Sequence, residues 1–247
     1  IVVSAMQVDE SDPHVIVRQL NKLAPEMIDG VAIMAPETPQ LRDAIARLQE
    51  RGIYVIAFVA NQTNLESSQF VGIDNRAAGR TAGMLMGRFS CARKGSVIVV
   101  SETMQSRDSL ERRLGFDATI NNDFRHLTVL PSLETYGDPA RTKAVIGNAI
   151  SGNPDLVGIY VLSAEARIPL DAISVNNTTS SVIKVVHERT PFTEHALESG
   201  AIDAVINQDP GHLVRSAIRI MKAKQEGREI VASQEKIRIE ILLRENL

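Results

Sequence analysis

Residues 31–59 read VAIMAPETPQLRDAIARLQERGIYVIAFV, an apolar run, a helical pattern and a second apolar run. Val31 to Met34 has the continuous apolar character of a strand buried on both faces. Pro36 and Pro39 then introduce a helix, since proline suits a first helical turn. Leu41, Ala44, Ile45 and Leu48 fall on one face of that helix, and Gly52 stops it after Arg51. Ile53 to Val59 forms the next strand. A strand, a helix and a strand, with both strands apolar throughout, make the unit of a parallel sheet covered by helices.

The rhythm extends in both directions. Upstream, Ile1 to Met6 reads as a strand, and Pro13 to Leu23 as a helix capped by Asp12. Downstream come a short strand from Phe70 to Ile73 and a helix from Asn75 to about Phe89. Further strands are expected at Ser96–Ser101, Leu127–Leu133, Leu156–Leu162, Val182–Val186 and Ala204–Asn207. Helices at Ser109–Asp123, Pro139–Ile150 and Phe192–Ser199, with a short one ending at Ile173, separate them. A long helix from Pro210 to Lys224 precedes Lys236–Leu243, where Ile237, Ile239 and Ile241 alternate and leave one face wet. About ten strands with no eightfold period fit two open sheets better than a closed barrel. Ligands of open α/β sheets sit beyond the carboxyl ends of the strands, so the loops after strands hold the candidate residues.

Composition narrows the function. The 247 residues carry 27 Lys+Arg against 30 Asp+Glu, a net charge of −3 that argues against gripping a polyphosphate backbone. At 44% hydrophobic the chain can build real cores, and with no Trp those cores must be aliphatic. The lone Cys91 excludes an internal disulfide and an all-thiolate zinc site. No apolar run approaches the ~18 residues of a membrane span. No basic segment precedes the apolar start at Ile1, so no export signal is expected.

Gly79, Gly83 and Gly87 recur every four residues and make a smooth ridge along one helix face. Glycine costs up to ~1 kcal/mol per helical position, so close approach of a sheet or partner must offset it. Arg112 and Arg113 are adjacent on a helix. One belongs to a solvated face, and Arg112 is the candidate to enter a cleft and donate to hydroxyls or a carboxylate. His187-Glu188 follows an apolar strand. The readings open there are a strand-end carboxylate that accepts from a ligand, a surface turn, and general-base or metal chemistry. No His, Cys or Asp stands at ligand spacing to support a metal. Gln208 sits at a strand tip before Asp209-Pro210, and Asn61 holds the comparable place after the Ile53 strand. The chain carries no G-x-S-x-G, H-E-x-x-H, S-x-x-K or C-x-x-C, so an enzyme reading lacks a nucleophile–base pair. No cofactor or metal is expected.

Several of these residues fall into a familiar order. The marks are Val71-Gly-Ile-Asp74-Asn75 with Gly79, then Glu111-Arg112-x-x-Gly115-Phe116, then His187-Glu188-x-Thr190-Pro191. Gly200-x-Ile-Asp203-Ala-Val-Ile-x-Gln208-x-Pro210 and the closing Glu245-Asn246-Leu247 follow. In this order the chain resembles, over essentially its whole length, the effector-binding module of lactose-repressor-type (LacI family) transcription regulators. That module shares its fold with periplasmic sugar-binding proteins, and the second half here is similar to the ribose-binding group.

The resemblance implies a type I periplasmic-binding-protein architecture, two doubly wound parallel-sheet lobes with a ligand cleft between them. The lobes are expected at residues 1–104 plus 209–234 and at 105–208 plus 235–247. The N-terminal one would lack its first strand and helix. It further implies a monosaccharide or sugar alcohol as effector, a homodimer in the cytoplasm, and operator DNA bound only by a helix-turn-helix domain outside this chain. Carried over by position, Arg112 donates to the ligand, Glu188 accepts its hydroxyl protons, and Gln208 bridges it. Asn61 stands where relatives often have Asp, and Ser163 or Glu165 replaces a customary Asn. Phe58, Tyr160 and Phe192 are candidates to stack on a sugar ring. Sugar phosphates are disfavoured because Arg112 has no second cation beside it. The alternative implied by the same likeness is a periplasmic sugar-binding protein of an ABC transporter.

Overall fold

The computed structural model describes residues 2–8, 12–175, 181–230 and 235–247, and they form two compact units. Unit 1 is residues 1–72 with 209–237, and unit 2 is residues 73–208 with 238–247. Residues 73–104, expected in the N-terminal lobe, pack in unit 2, because the strand they contain is central to that unit's sheet.

Unit 1 contains α1 (Pro13–Asn21), β1 (Gly30–Ile33), α2 (Pro39–Glu50), β2 (Tyr54–Phe58), β3 (Phe70–Val71) and the returning α8 (Pro210–Gln225). Its strands form a parallel sheet in the order β1-β2-β3. Thr38 caps α2 by accepting from the Leu41 N–H, Pro39 opens it, and Gly52 at φ +83° ends it in the left-handed region. The buried stripe of Leu41, Ala44, Ile45 and Leu48 meets Ile33 and Val55 of the sheet and Ile16 and Leu20 of α1. Each of the leucines, isoleucines and Val55 contributes about 1.5–3 kcal/mol of burial. Ile1, where an upstream strand was expected, lies outside the described residues. Residues 2–6 belong to no strand among the described residues, and Val2 is 96% exposed. Their apolar character supplies only half of what a strand needs, since no neighbouring strand offers them N–H and C=O partners.

Unit 2 comprises α3 (Asn75–Phe89), β4 (Gly95–Ser101), α4 (Arg107–Asp123), β5 (Leu127–Val129), β6 (Leu133–Glu134), α5 (Pro139–Gly152) and β7 (Leu156–Val161). It continues through α6 (Arg167–Ser174), β8 (Ile183–His187), α7 (Pro191–Glu198), β9 (Ala204–Gln208) and β10 (Ile239–Leu242). The sheet order is β10-β9-β8-β7-β4-β5, with β6 also on β4, and only β10 runs antiparallel. The single strand expected at 127–133 is therefore two, each pairing a different stretch of β4. Pro131 lies in the gap, and without an N–H it gives the ladder no donor. In β10 the expected alternation slips: Ile241 is exposed, and Leu242 joins the core with Ile98, Ile159, Val186 and Val205.

The glycine ridge of α3 faces α4, which runs beside it. A methyl group at Gly79 would overlap the Arg112 carbonyl, and one at Gly115 would overlap that of Arg76. Glycines on both helices thus let the two backbones touch, which fixes where Arg112 leaves α4.

Candidate functional site

Within unit 2, β7, β8 and β9 end side by side, and the first turn of α3 and the second turn of α4 carry polar side chains to the same place. Ser106 caps α4, with its hydroxyl accepting from the Ser109 N–H. One and a half turns on, Arg112 emerges on the buried face at 5% exposure. Its Nε donates to Asn75 Oδ1 at 2.8 Å and its Nη1 to the Leu162 carbonyl at 2.7 Å. Nη2 lies 3.8 Å from Glu188 Oε1. Two anchors from separate elements hold the guanidinium in one plane, which a lysine's single ammonium could not reproduce. Arg113 turns to Asp117 and Ser132 instead, so Arg112 alone of the pair is directed inward.

Glu188 follows β8 in a left-handed conformation, φ +66°, sparsely populated for a residue with a Cβ. That turn separates it from His187, which stays fully buried. Gln208, at the end of β9, donates from Nε2 to Glu188 Oε1 at 3.0 Å. Its Oε1 is buried and has no hydrogen-bond partner among the described residues. A buried amide oxygen left unpaired costs about 1–3 kcal/mol, which a ligand hydroxyl or amine would relieve. Burial pushes the Glu188 carboxyl above its ordinary value, against the opposing pull of Arg112 and the Gln208 hydrogen bond. Asp108, one turn before Arg112 on α4, is also raised, chiefly by burial and despite Arg112.

Beneath this group the Tyr160 hydroxyl meets His187 Nε2 at 2.8 Å, and the Tyr160 ring stacks on Phe116 at 4.7 Å. Burial and then Arg112 push the imidazole's pKa well down, while burial pushes the phenol's up. Both groups are thereby held neutral under Arg112. Tyr160, a candidate for stacking on a sugar, is wholly enclosed in this pair.

Of the residues singled out on sequence, Arg112, Glu188 and Gln208 are brought together. Ser163 is not bonded to them: its hydroxyl makes a long 3.4 Å contact with the Glu165 carbonyl. Asn61 lies in unit 1 after β2, where its Oδ1 accepts from the Gln62 N–H at 2.8 Å. Gln62 is the more telling neighbour, buried, donating to the Ala35 carbonyl at 2.9 Å, and with Oε1 unpartnered among the described residues. Val59, three residues before it, has φ +64°, a strained value for a β-branched side chain. Asn75, Asp108, His187's role as a sealed core group, and Gln62 were not assigned on sequence. For Asn75 the signal was present, as the residue after the helix cap in Gly72-Ile-Asp-Asn75. Among the described residues no group of His, Cys, Asp and Glu is placed to hold a metal, and no helix is long and apolar enough to cross a membrane.

The arrangement offers fixed donors and acceptors rather than a nucleophile and its base. No curated protein sequence matches the chain. Solved structures with the same fold include GanP, a glucose-galactose binding protein from Geobacillus stearothermophilus, at TM-score 0.83 and 16% identity over 96% of this chain and 84% of that one. An ABC transporter solute-binding protein from Burkholderia graminis, in complex with D-arabinose, gives 0.83 at 19% identity, covering 96% and 83%. AraP, an arabinose binding protein from G. stearothermophilus, gives 0.80 at 22%, covering 95% and 83%. These likenesses establish the type I periplasmic-binding-protein fold. The family described as periplasmic binding protein domain matches residues 1–229, and the chain belongs to it.

Proposed function

We propose that the chain binds a small neutral or cationic sugar through Arg112, Glu188 and Gln208, as the recognition domain of a solute receptor. The observation that carries this reading is the unpartnered Gln208 Oε1, buried beside a carboxylate and a guanidinium already fixed in place. Such a preformed polar wall binds without first losing side-chain freedom. The similar solved structures are sugar-binding proteins of transporters, which supports a transport receptor over the regulator module expected first from sequence. Asn61 and Ser163 keep the contact roles proposed for them on sequence, and single alanine variants test each.

A thermal-shift panel of pentoses, hexoses and sugar alcohols tests the reading. A true ligand at 100 times its Kd adds about 2.7 kcal/mol of stability. Gln208→Leu and Arg112→Lys are expected to abolish that gain. If both variants respond as the parent chain does, the wall is not the site.

The regulator reading is the second one, and the Glu245-Asn246-Leu247 ending, one of the marks of the sequence resemblance, favours it. It calls for a dimer in the cytoplasm, coupled to operator DNA by a separate head. The transport reading calls for a monomer.

A further inference from the structure

The charges around Arg112 do not balance. Arg107 Nε is 2.8 Å from Glu111 Oε1, and Arg112 faces Glu188, so two guanidiniums and two carboxylates are matched. Asp108 is a third carboxylate. It sits four residues before Arg112 on α4, hence on the same face, and it is half-buried. Its field reaches both Arg112 and Glu188. Among the described residues no side chain hydrogen-bonds to it. The other open valence here, Gln208 Oε1, is also an acceptor, on a residue only 5% exposed. The wall therefore has acceptors to fill and one negative charge in excess, while Arg112 has given bonds from Nε and Nη1 to Asn75 and Leu162 and keeps Nη2, 3.8 Å from Glu188, for a ligand oxygen.

We infer that Asp108 is a specificity-determining residue of this site and that the preferred ligand is a sugar bearing an amine. An ammonium carries three donors, no acceptor and the missing positive charge, whereas a hydroxyl supplies one donor and leaves Asp108 uncompensated. A sugar acid would add to the excess. The upward displacement of both carboxyls by burial agrees, since each lacks sufficient positive charge nearby. The inference rests on the sugar-binding reading above and adds the ligand's charge to it.

Calorimetric titration of the whole chain with D-glucosamine, D-galactosamine and D-mannosamine, each against its parent hexose and D-glucuronate, decides it. The expected result is at least tenfold tighter binding of one amino sugar than of its parent, with no binding of glucuronate. Asp108→Asn is expected to bring that ratio close to one. Equal or tighter binding of the parent hexoses overturns the inference and leaves the sugar-binding reading standing, as does an unchanged ratio in Asp108→Asn. Failure of every sugar to bind overturns both.

Discussion

Arg112 shows how packing fixes the side chain on which the proposed sugar site depends. It is buried, and its Nε and Nη1 bonds to Asn75 and Leu162 set the plane from which Nη2 faces Glu188. Arg112→Lys keeps the charge but loses the fork. It is expected to lower stability by about 1–3 kcal/mol in a denaturant titration, because Asn75 Oδ1 and the Leu162 carbonyl lose their donor. Glu188 behaves in the opposite sense. Its folded pKa lies above its unfolded one, so its favourable contribution is present below the unfolded value and is lost as pH rises through the folded value. Glu188→Gln is therefore expected to be at least as stable as the parent at pH 7, with the advantage shrinking on acidification, while sugar binding falls. His187 is depressed instead, so the stability it contributes is present above about pH 6.5 and is lost as pH falls through its folded value. A melting series from pH 7.5 to 5 should show that loss, and His187→Gln should flatten it.

Between α3 and α4 the contact is made by absent side chains. Gly79→Ala or Gly115→Ala would press a methyl group into a facing carbonyl and force the helices apart. Overpacking of this kind costs about 1–3 kcal/mol, and here it also moves Arg112, so affinity should fall with stability. Gly147 of α5 has open space around its Cβ position. Gly147→Ala should therefore stabilise by up to ~1 kcal/mol without touching binding. The sequence spoke clearly at this scale where a signal was local: the helix expected from Asn75 to about Phe89 is α3, and its glycines meet a close neighbour in α4. It failed where the signal was tertiary. Pro131 splits β5 from β6 because both must pair with β4, and residues 2–6 have strand character without a partner. At the site, three strand-end and helix positions could be named because their residue types are unusual there. Asp108 could not, since an acid in a first helical turn already has a routine explanation in the helix dipole.

For the whole molecule, two proposed roles differ in oligomeric state. The fold is common to receptors that deliver a solute and modules that report one, and fold alone does not choose between them. Size in solution does: the transport reading expects a monomer at micromolar concentration, and a stable dimer would restore the regulator reading. The central claim, that the strand ends of unit 2 hold a sugar, is tested most directly by calorimetric titration of the parent chain and Gln208→Leu with pentoses, hexoses and hexosamines. One saturable site in the parent, lost in the variant, is the expected result. No heat with any sugar, or the same affinity in both proteins, would contradict it.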